Sequence, residues 1–344
     1  MPERPRRTLR AAGLALLLGG ALALGGSGPV QPTLHGDLDV HDPTLLPLPG
    51  GYLVAGTGFE DVDGGALRLK TSADGITWRD AGPLLHAQPG WVKALLGSSP
   101  PNLWAPNLTL RRTGTGARAF LYFSASTFGR NASGIGLMTN DRLTLARPAG
   151  GWQDRGLVLA SRAGDDFNAI DPARLDARDG RAWLVYGSYW DGIRLRELDP
   201  EGGLLRRADT PTYRLASRAG GPVEAASLLQ RGPYTYLFVS FDRCCAGLAS
   251  TYRIMVGRAR DVKGPYLDRA GRPMLQGGGT ELLATGGRVT GPGGQEAYRD
   301  GAQDRLVYHQ YDRERGGTSQ LQTTPLLWDE DGWPHLPPPP GGTP

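Results

Sequence analysis

Asn168-Ala169-Ile170-Asp171-Pro172 is followed, after a polar stretch, by Trp183-Leu184-Val185-Tyr186-Gly187-Ser188. The second piece is a short apolar and aromatic run that stops at small residues. A run of that length, bounded by Gly and Asp, reads as a buried strand. The first piece sets a carboxylate before a proline. Taken alone, an Asp-Pro pair reads more readily as a turn than as a catalyst. What gives both pieces meaning is their recurrence.

The strand recurs as Gly51-Tyr52-Leu53-Val54-Ala55-Gly56-Thr57, Phe120-Leu121-Tyr122-Phe123-Ser124, Tyr236-Leu237-Phe238-Val239-Ser240 and Leu306-Val307-Tyr308-His309. Weaker strands follow most of these, at Gly134 to Met138, Gly192 to Leu198, Arg253 to Arg258 and Gln320 to Thr324. The strong strands start 53 to 70 residues apart. Repeats of that size, with several strands in each, are the signature of a β-propeller. Of 344 residues, 52 are Gly and 28 are Pro, and 39% are hydrophobic, which suits an all-β chain rich in turns better than a helical bundle. The propeller is assigned to residues 34–335 as one domain.

Each repeat carries a marked residue upstream of its strong strand. These are Asp42 in His41-Asp42-Pro43, Asn107 in Trp104-Ala105-Pro106-Asn107, Asp171, Glu224 in Pro222-Val223-Glu224-Ala225, and the turn Gly291-Pro292-Gly293-Gly294. Equivalent positions in a propeller fall on equivalent inner strands, which line the central channel. Asp42, Asp171 and Glu224 are therefore expected at one repeat phase, converging on one channel mouth. Three carboxylates gathered that way suit acid–base catalysis better than three unrelated turns.

With these motifs the chain resembles glycoside hydrolase family 43, and within it the endo-α-1,5-L-arabinanases. The resemblance runs from His41 to Pro334 and takes in Ser126-Thr127-Phe128-Gly129, Gly187-Ser188-Tyr189-Trp190, Phe241-Asp242-Arg243-Cys244-Cys245, Ser250-Thr251-Tyr252 and Tyr308-His309-Gln310-Tyr311-Asp312. It implies a five-bladed propeller that hydrolyses arabinan, a pectin side chain, with inversion. It also implies roles: Asp42 as general base, Glu224 as general acid, and Asp171 as the carboxylate that orients the acid and raises its pKa. Inversion needs a base to deprotonate water on one face of the sugar and an acid on the other, roughly 6.5–9.5 Å apart. A third carboxylate beside the acid keeps it protonated by like-charge repulsion. The rival readings are an exo-arabinanase, α-L-arabinofuranosidase or β-xylosidase of the same family, and a non-catalytic carbohydrate-binding propeller.

The chain departs from the family pattern at two places, and the second bears on a cofactor. Asn107 stands where many relatives have Asp, and Gly294 stands where many have a histidine that organises a metal or water cluster. Gly294 thus counts against a calcium in the central channel. His309 is the candidate metal ligand, set against the reading of a hydrogen-bonded structural histidine. For substrate, Trp104, Phe128 and Trp190 are candidate stacking platforms, and Asn168 and Ser188 candidate hydroxyl partners. For each aromatic, packing between blades is an equal alternative.

The N-terminus is a separate object. Arg4, Arg6, Arg7 and Arg10 precede an apolar run from Ala11 to Leu24, with Ala21-Leu22-Ala23 as a cleavage signal. Residues 1–23 read as a secretory signal peptide, against the alternative of an uncleaved anchor. Without it the net charge of +4 falls close to neutral, and no basic run is left to bind nucleic acid. The mature chain is expected to be a secreted monomer whose partner is a polysaccharide, with no membrane contact. Cys244 and Cys245 are adjacent, so they close a local disulfide or stay as thiols; no C-x-x-C motif is present. Residues 336–344, rich in Pro and Gly, read as a disordered or extended tail.

Overall fold

The computed structural model describes residues 1, 31–60, 65–114 and 116–338. The signal-peptide reading of residues 1–23, apart from Met1, and residues 339–344 of the tail lie outside the described residues.

Five sheets stand around one channel, antiparallel except that His35–Gly36 pairs parallel at the outer edge of the first. Their inner strands are Thr44–Leu48, Trp104–Thr113, Ala173–Asp176, Val223–Arg231 and Gly293–Asp300. Each inner strand neighbours the next, and the fifth lies beside the first, so the ring closes. Every strong strand of the sequence is the second strand of its blade, paired to the inner strand on one side and to a third strand on the other. That position buries both of its faces against neighbouring blades, which is why it reads as a continuous apolar run rather than an alternating one.

The core is divided in the same way. Five separate apolar clusters fill the five blade interfaces. Leu53, Leu108 and Phe123 belong to the first, Phe120, Tyr122 and Leu184 to the second, and Val185, Leu237 and Val239 to the third. Tyr236, Phe238 and Tyr308 hold the fourth to the fifth blade. Val54, Trp78 and Val307 hold the fifth to the first. This last interface joins the two ends of the domain. The fifth blade has three strands of its own. Its outer edge is completed by residues 38–40: Leu321 N donates to Leu38 O at 2.7 Å and Val40 N to Ser319 O at 3.2 Å. The N-terminal segment thus locks the ring and covers a sheet edge that would otherwise offer unpaired backbone groups. Leu336 packs against the fourth–fifth cluster.

Candidate active site

Each blade enters the channel through the same kink. Asp42, Ala105, Asp171, Ala225 and Gly294 all have left-handed backbone, with φ of 49°, 41°, 55°, 51° and 57°. In the second, fourth and fifth blades the pairing register shifts across this residue. A left-handed residue with a Cβ costs about 1–2 kcal/mol, and its N–H, turned out of the ladder, needs another acceptor. The acceptor comes from the preceding blade. Ala105 N donates to Thr57 Oγ1 at 2.9 Å, Asp171 N to Ser124 Oγ at 3.0 Å, Gly294 N to Ser240 Oγ at 3.1 Å, and Asp42 N to His309 Nδ1 at 3.1 Å. These acceptors are the small or polar residues that end the strong strands. Only Gly187 lacks a side chain to offer, and there Asp171 Oδ2 takes the Ala225 N–H at 3.0 Å.

The expected common phase holds for Asp42 and Asp171 but not for the others. Glu224 stands one residue before the kink of its blade, opposite Ser240, and Asn107 stands two residues beyond its own, opposite Tyr122. Glu224 still reaches the same mouth, where its charge acts on Asp171 and on His41.

The three carboxylates sit in different electrostatic settings. Burial opposes the charge of Asp42, but His41 Nδ1 at 2.8 Å and the Thr57 hydroxyl at 2.8 Å both bind its Oδ2. The net effect holds Asp42 well below the usual carboxylate range. Its Oδ1 takes neither of these bonds and lies 3.8 Å from His309 Nδ1, beside Gly294. Asp171 is pushed well up, by burial first and then by the charges of Glu224 and Asp42. Glu224 is also raised, by burial, against the pull of its two donors. Those donors are the Ser188 hydroxyl on Oε2 at 2.5 Å and the Tyr252 hydroxyl on Oε1 at 2.5 Å. Burial and neighbouring groups thus push the three carboxyls in opposite directions, Asp42 down and Asp171 and Glu224 up.

The candidate substrate residues divide. Trp104 is half-buried at the phase of Glu224, with Nε1 donating to Asn102 Oδ1 at 2.7 Å. Phe128 is 81% exposed, on the loop that leaves the strand ending at Ala125, on the face of the channel that carries Ser124 and Asp171. Trp190 is half-buried in the loop that carries Ser188. Asn168 and Ser188 are both buried and already engaged. Asn168 Oδ1 accepts from Ser133 Oγ at 2.7 Å, and Ser188 is committed to Glu224. Sequence reasoning named no role for His41, Thr57, Ser124, Tyr252 or Tyr311. His41 and Tyr252 lie inside quoted motifs, so the motifs located them without revealing their partners.

The channel does not suit calcium. That ion takes six to eight oxygen ligands, whereas the group His41, Asp42 and His309 offers two imidazoles and one carboxylate. His309 Nδ1 spends its lone pair on the Asp42 N–H, so its Nε2 carries the hydrogen and has no lone pair for a cation. Burial, and then the nearby His41, keep this imidazole neutral. His309 is thus the ring-closing acceptor of the fifth blade, and its buried Nε2 has no hydrogen-bond partner among the described residues. A Cβ at Gly294 would lie 2.5 Å from Asp42 Oδ1 and 2.7 Å from His309 Nδ1, so a histidine there and His309 compete for one space. One layer deeper the side-chain oxygens each accept a backbone hydrogen bond. Thr44 Oγ1 accepts from Leu108 N, Asn107 Oδ1 from Arg174 N, Ser227 Oγ from Ala297 N and Glu296 Oε2 from Leu45 N.

Known proteins share this architecture. The family model described as Glycosyl hydrolases family 43 matches residues 31–334. The extracellular endo-α-(1→5)-L-arabinanase 1 of Bacillus subtilis is 37% identical over 300 residues, covering 86% of this chain and 87% of that protein. The extracellular exo-α-(1→5)-L-arabinofuranosidase ArbA of Cellvibrio japonicus is 34% identical over 312 residues, with 87% and 86% covered. Among solved structures, the family 43 endo-arabinanase of Bacillus licheniformis superposes with a TM-score of 0.80 at 39% identity, covering 88% of this chain and 99% of that one.

Proposed function

This chain belongs to glycosyl hydrolase family 43, and from that premise we propose that it cleaves α-1,5-linked arabinan internally, with inversion. The observation that carries the reading is the contrast between the carboxylates of one mouth: His41 and Thr57 both bind Asp42 Oδ2 and favour its ionised form, while burial pushes Asp171 and Glu224 up. Carboxylates driven apart in pKa by their surroundings mark a base and an acid. Asp42 Oδ1 takes the proton of the attacking water. Glu224 gives its proton to the leaving glycosidic oxygen. Asp171 accepts the Ala225 N–H beside the acid, and repulsion between the two carboxyls disfavours ionising both at once.

Internal cleavage is supported by the endo-acting relative and by Phe128, an open aromatic surface on the catalytic face where a sugar outside the cleaved bond can stack. Secretion is supported by the basic and apolar N-terminal sequence and by the extracellular names of both relatives. Among the described residues no helix is long and apolar enough to cross a membrane. The test is product sizing on linear arabinan, with the anomer of the first product read by proton NMR. Early mixed oligosaccharides of inverted configuration are expected. A single short product from the start indicates attack at chain ends, as in the exo-acting relative, and a retained anomer defeats the base assignment.

A further inference from the structure

Cys244 and Cys245 form a disulfide in the loop after the second strand of blade four. The pair rests against His41, the imidazole bound to Asp42. His41 Nε2 lies 3.6 Å from Cys244 Sγ and 3.8 Å from Cys245 Sγ, while Nδ1, on the opposite edge of the ring, is 2.8 Å from Asp42 Oδ2. The Tyr311 hydroxyl completes the cluster, 3.1 Å from Nε2 and 3.8 Å from Cys244 Sγ. Cys245 is exposed, which gives a path in from solvent.

These separations have a chemical meaning. Tetrahedral zinc, with bonds of about 2.0–2.1 Å to nitrogen and about 2.3 Å to sulfur, sets a nitrogen and a sulfur ligand roughly 3.6 Å apart. Both nitrogen–sulfur distances already fit. A metal-binding histidine also donates its other N–H to a carboxylate, which fixes the ring and the tautomer. Asp42 does this for His41. What the oxidised protein lacks is thiolate, the form of sulfur that binds metal.

We propose that reduced Cys244 and Cys245, together with His41 Nε2, form a site for a soft divalent cation such as zinc, and that filling it disables the base. A phosphine reductant opens the disulfide: the S–S bond breaks, two S–H bonds form, and the phosphine leaves as its oxide with oxygen from water. The cation then displaces two thiol protons to solvent, forms two metal–sulfur bonds and takes the Nε2 lone pair that faced Tyr311. Its positive charge, passed through the imidazole to Asp42 Oδ2, makes that carboxylate a poorer base. This last step rests on the reading of Asp42 as the base; the binding itself does not.

Full-length protein, oxidised and phosphine-reduced, is titrated with cobalt(II) and then with zinc. The reduced protein should bind one cobalt per chain, with a thiolate-to-cobalt charge-transfer band that zinc abolishes; the oxidised protein should show no band. Cys244→Ser combined with Cys245→Ser should remove the band, and His41→Gln should weaken binding at least about tenfold. A reduced protein without the band, or a band that survives the double serine variant, overturns the site. Equimolar zinc should lower arabinan hydrolysis by reduced protein at least tenfold, reversibly with a chelator, and leave oxidised protein unaffected. Full activity with zinc bound overturns the link to the base. A protein inactive toward arabinan in every state counts against the hydrolase reading, and the cobalt band still decides the site.

Discussion

The backbone N–H of Asp42 donates to Nδ1 of His309 at 3.1 Å across the seam where the last blade meets the first. It is the fifth-blade member of a ring of contacts in which four of the five strong strands end on a side chain that takes the kinked N–H of the next blade. His309 also stacks on His41 at 3.9 Å between ring centroids, so one residue supports both the backbone of Asp42 and the imidazole that binds its side chain.

Removing that support should cost both stability and rate. His309→Ala leaves the Asp42 N–H buried without an acceptor, a loss of about 1–3 kcal/mol, and opens a cavity beneath His41. Denaturant unfolding should show at least that loss, and kcat on arabinan should fall by more than KM changes. A variant with unchanged kcat would mean that Asp42 holds its position without the ring.

Direct changes to the carboxylates should separate their roles. Asp42→Asn and Glu224→Gln should each fold and lose about 10²–10⁴-fold in turnover on arabinan. An aryl arabinoside with a good leaving group needs little protonation. If the enzyme accepts one, Glu224→Gln should be impaired less on it than on arabinan, whereas Asp42→Asn should be impaired on both. Near-normal turnover by folded Asp42→Asn would remove the base assignment.

The pH profile should respond in opposite directions to two substitutions. Asp171 and Glu224 repel one another when both ionise, so Asp171→Asn should let Glu224 ionise more easily and move the alkaline limb of kcat/KM to lower pH. Tyr252→Phe removes a donor that favours the ionised form of Glu224, so the same limb should move to higher pH. Shifts in the same direction would defeat this account of how the acid is tuned.

The blades were legible because one physical requirement repeats in sequence. A strand packed between two blades must be apolar throughout, and its end must supply an acceptor, which produces Thr57, Ser124, Ser240 and His309 at corresponding places. The phase of Glu224 was not legible, because the left-handed kink breaks the two-residue alternation on which counting along a strand depends. The partners of Ser188 and Asn168 were not legible for a different reason. Short polar residues beside a channel look alike in sequence whether they face a sugar or another side chain, and only the packing of loops from separate blades set Ser188 against Glu224 and Asn168 against Ser133. Tyr252 and Tyr311 act across blades or strands and leave no spacing signal.

Chelation should leave most activity intact. The channel oxygens are already occupied by backbone donors, and Gly294 offers no ligand. Exhaustive chelation followed by assay should show less than a twofold loss, and added calcium should restore nothing. Complete loss with calcium-dependent recovery would mean that groups other than His309 hold an ion.

The last prediction concerns Glu296, which closes the deeper ring. Its Oε2 accepts from Leu45 N at 3.3 Å, and its Oε1 accepts from Asn107 Nδ2 at 2.8 Å across the channel. Burial outweighs these donors and pushes its carboxyl up to about 7. In the unfolded chain the same group ionises near the ordinary glutamate value. Between those two pH values the native state binds the extra proton, so this residue's contribution to stability is full below the unfolded pKa and declines as pH rises to about 7. Glu296→Gln cannot titrate. Its stability relative to the parent should therefore improve from pH 4.5 to pH 7.5, read as the difference in Tm between the two proteins at each pH. The absolute offset is set by how well the glutamine amide meets Asn107, and the slope is set by the proton alone. A Tm difference that stays flat across that range would mean that Glu296 is ionised in the native channel, with Asn107 and Leu45 holding its charge.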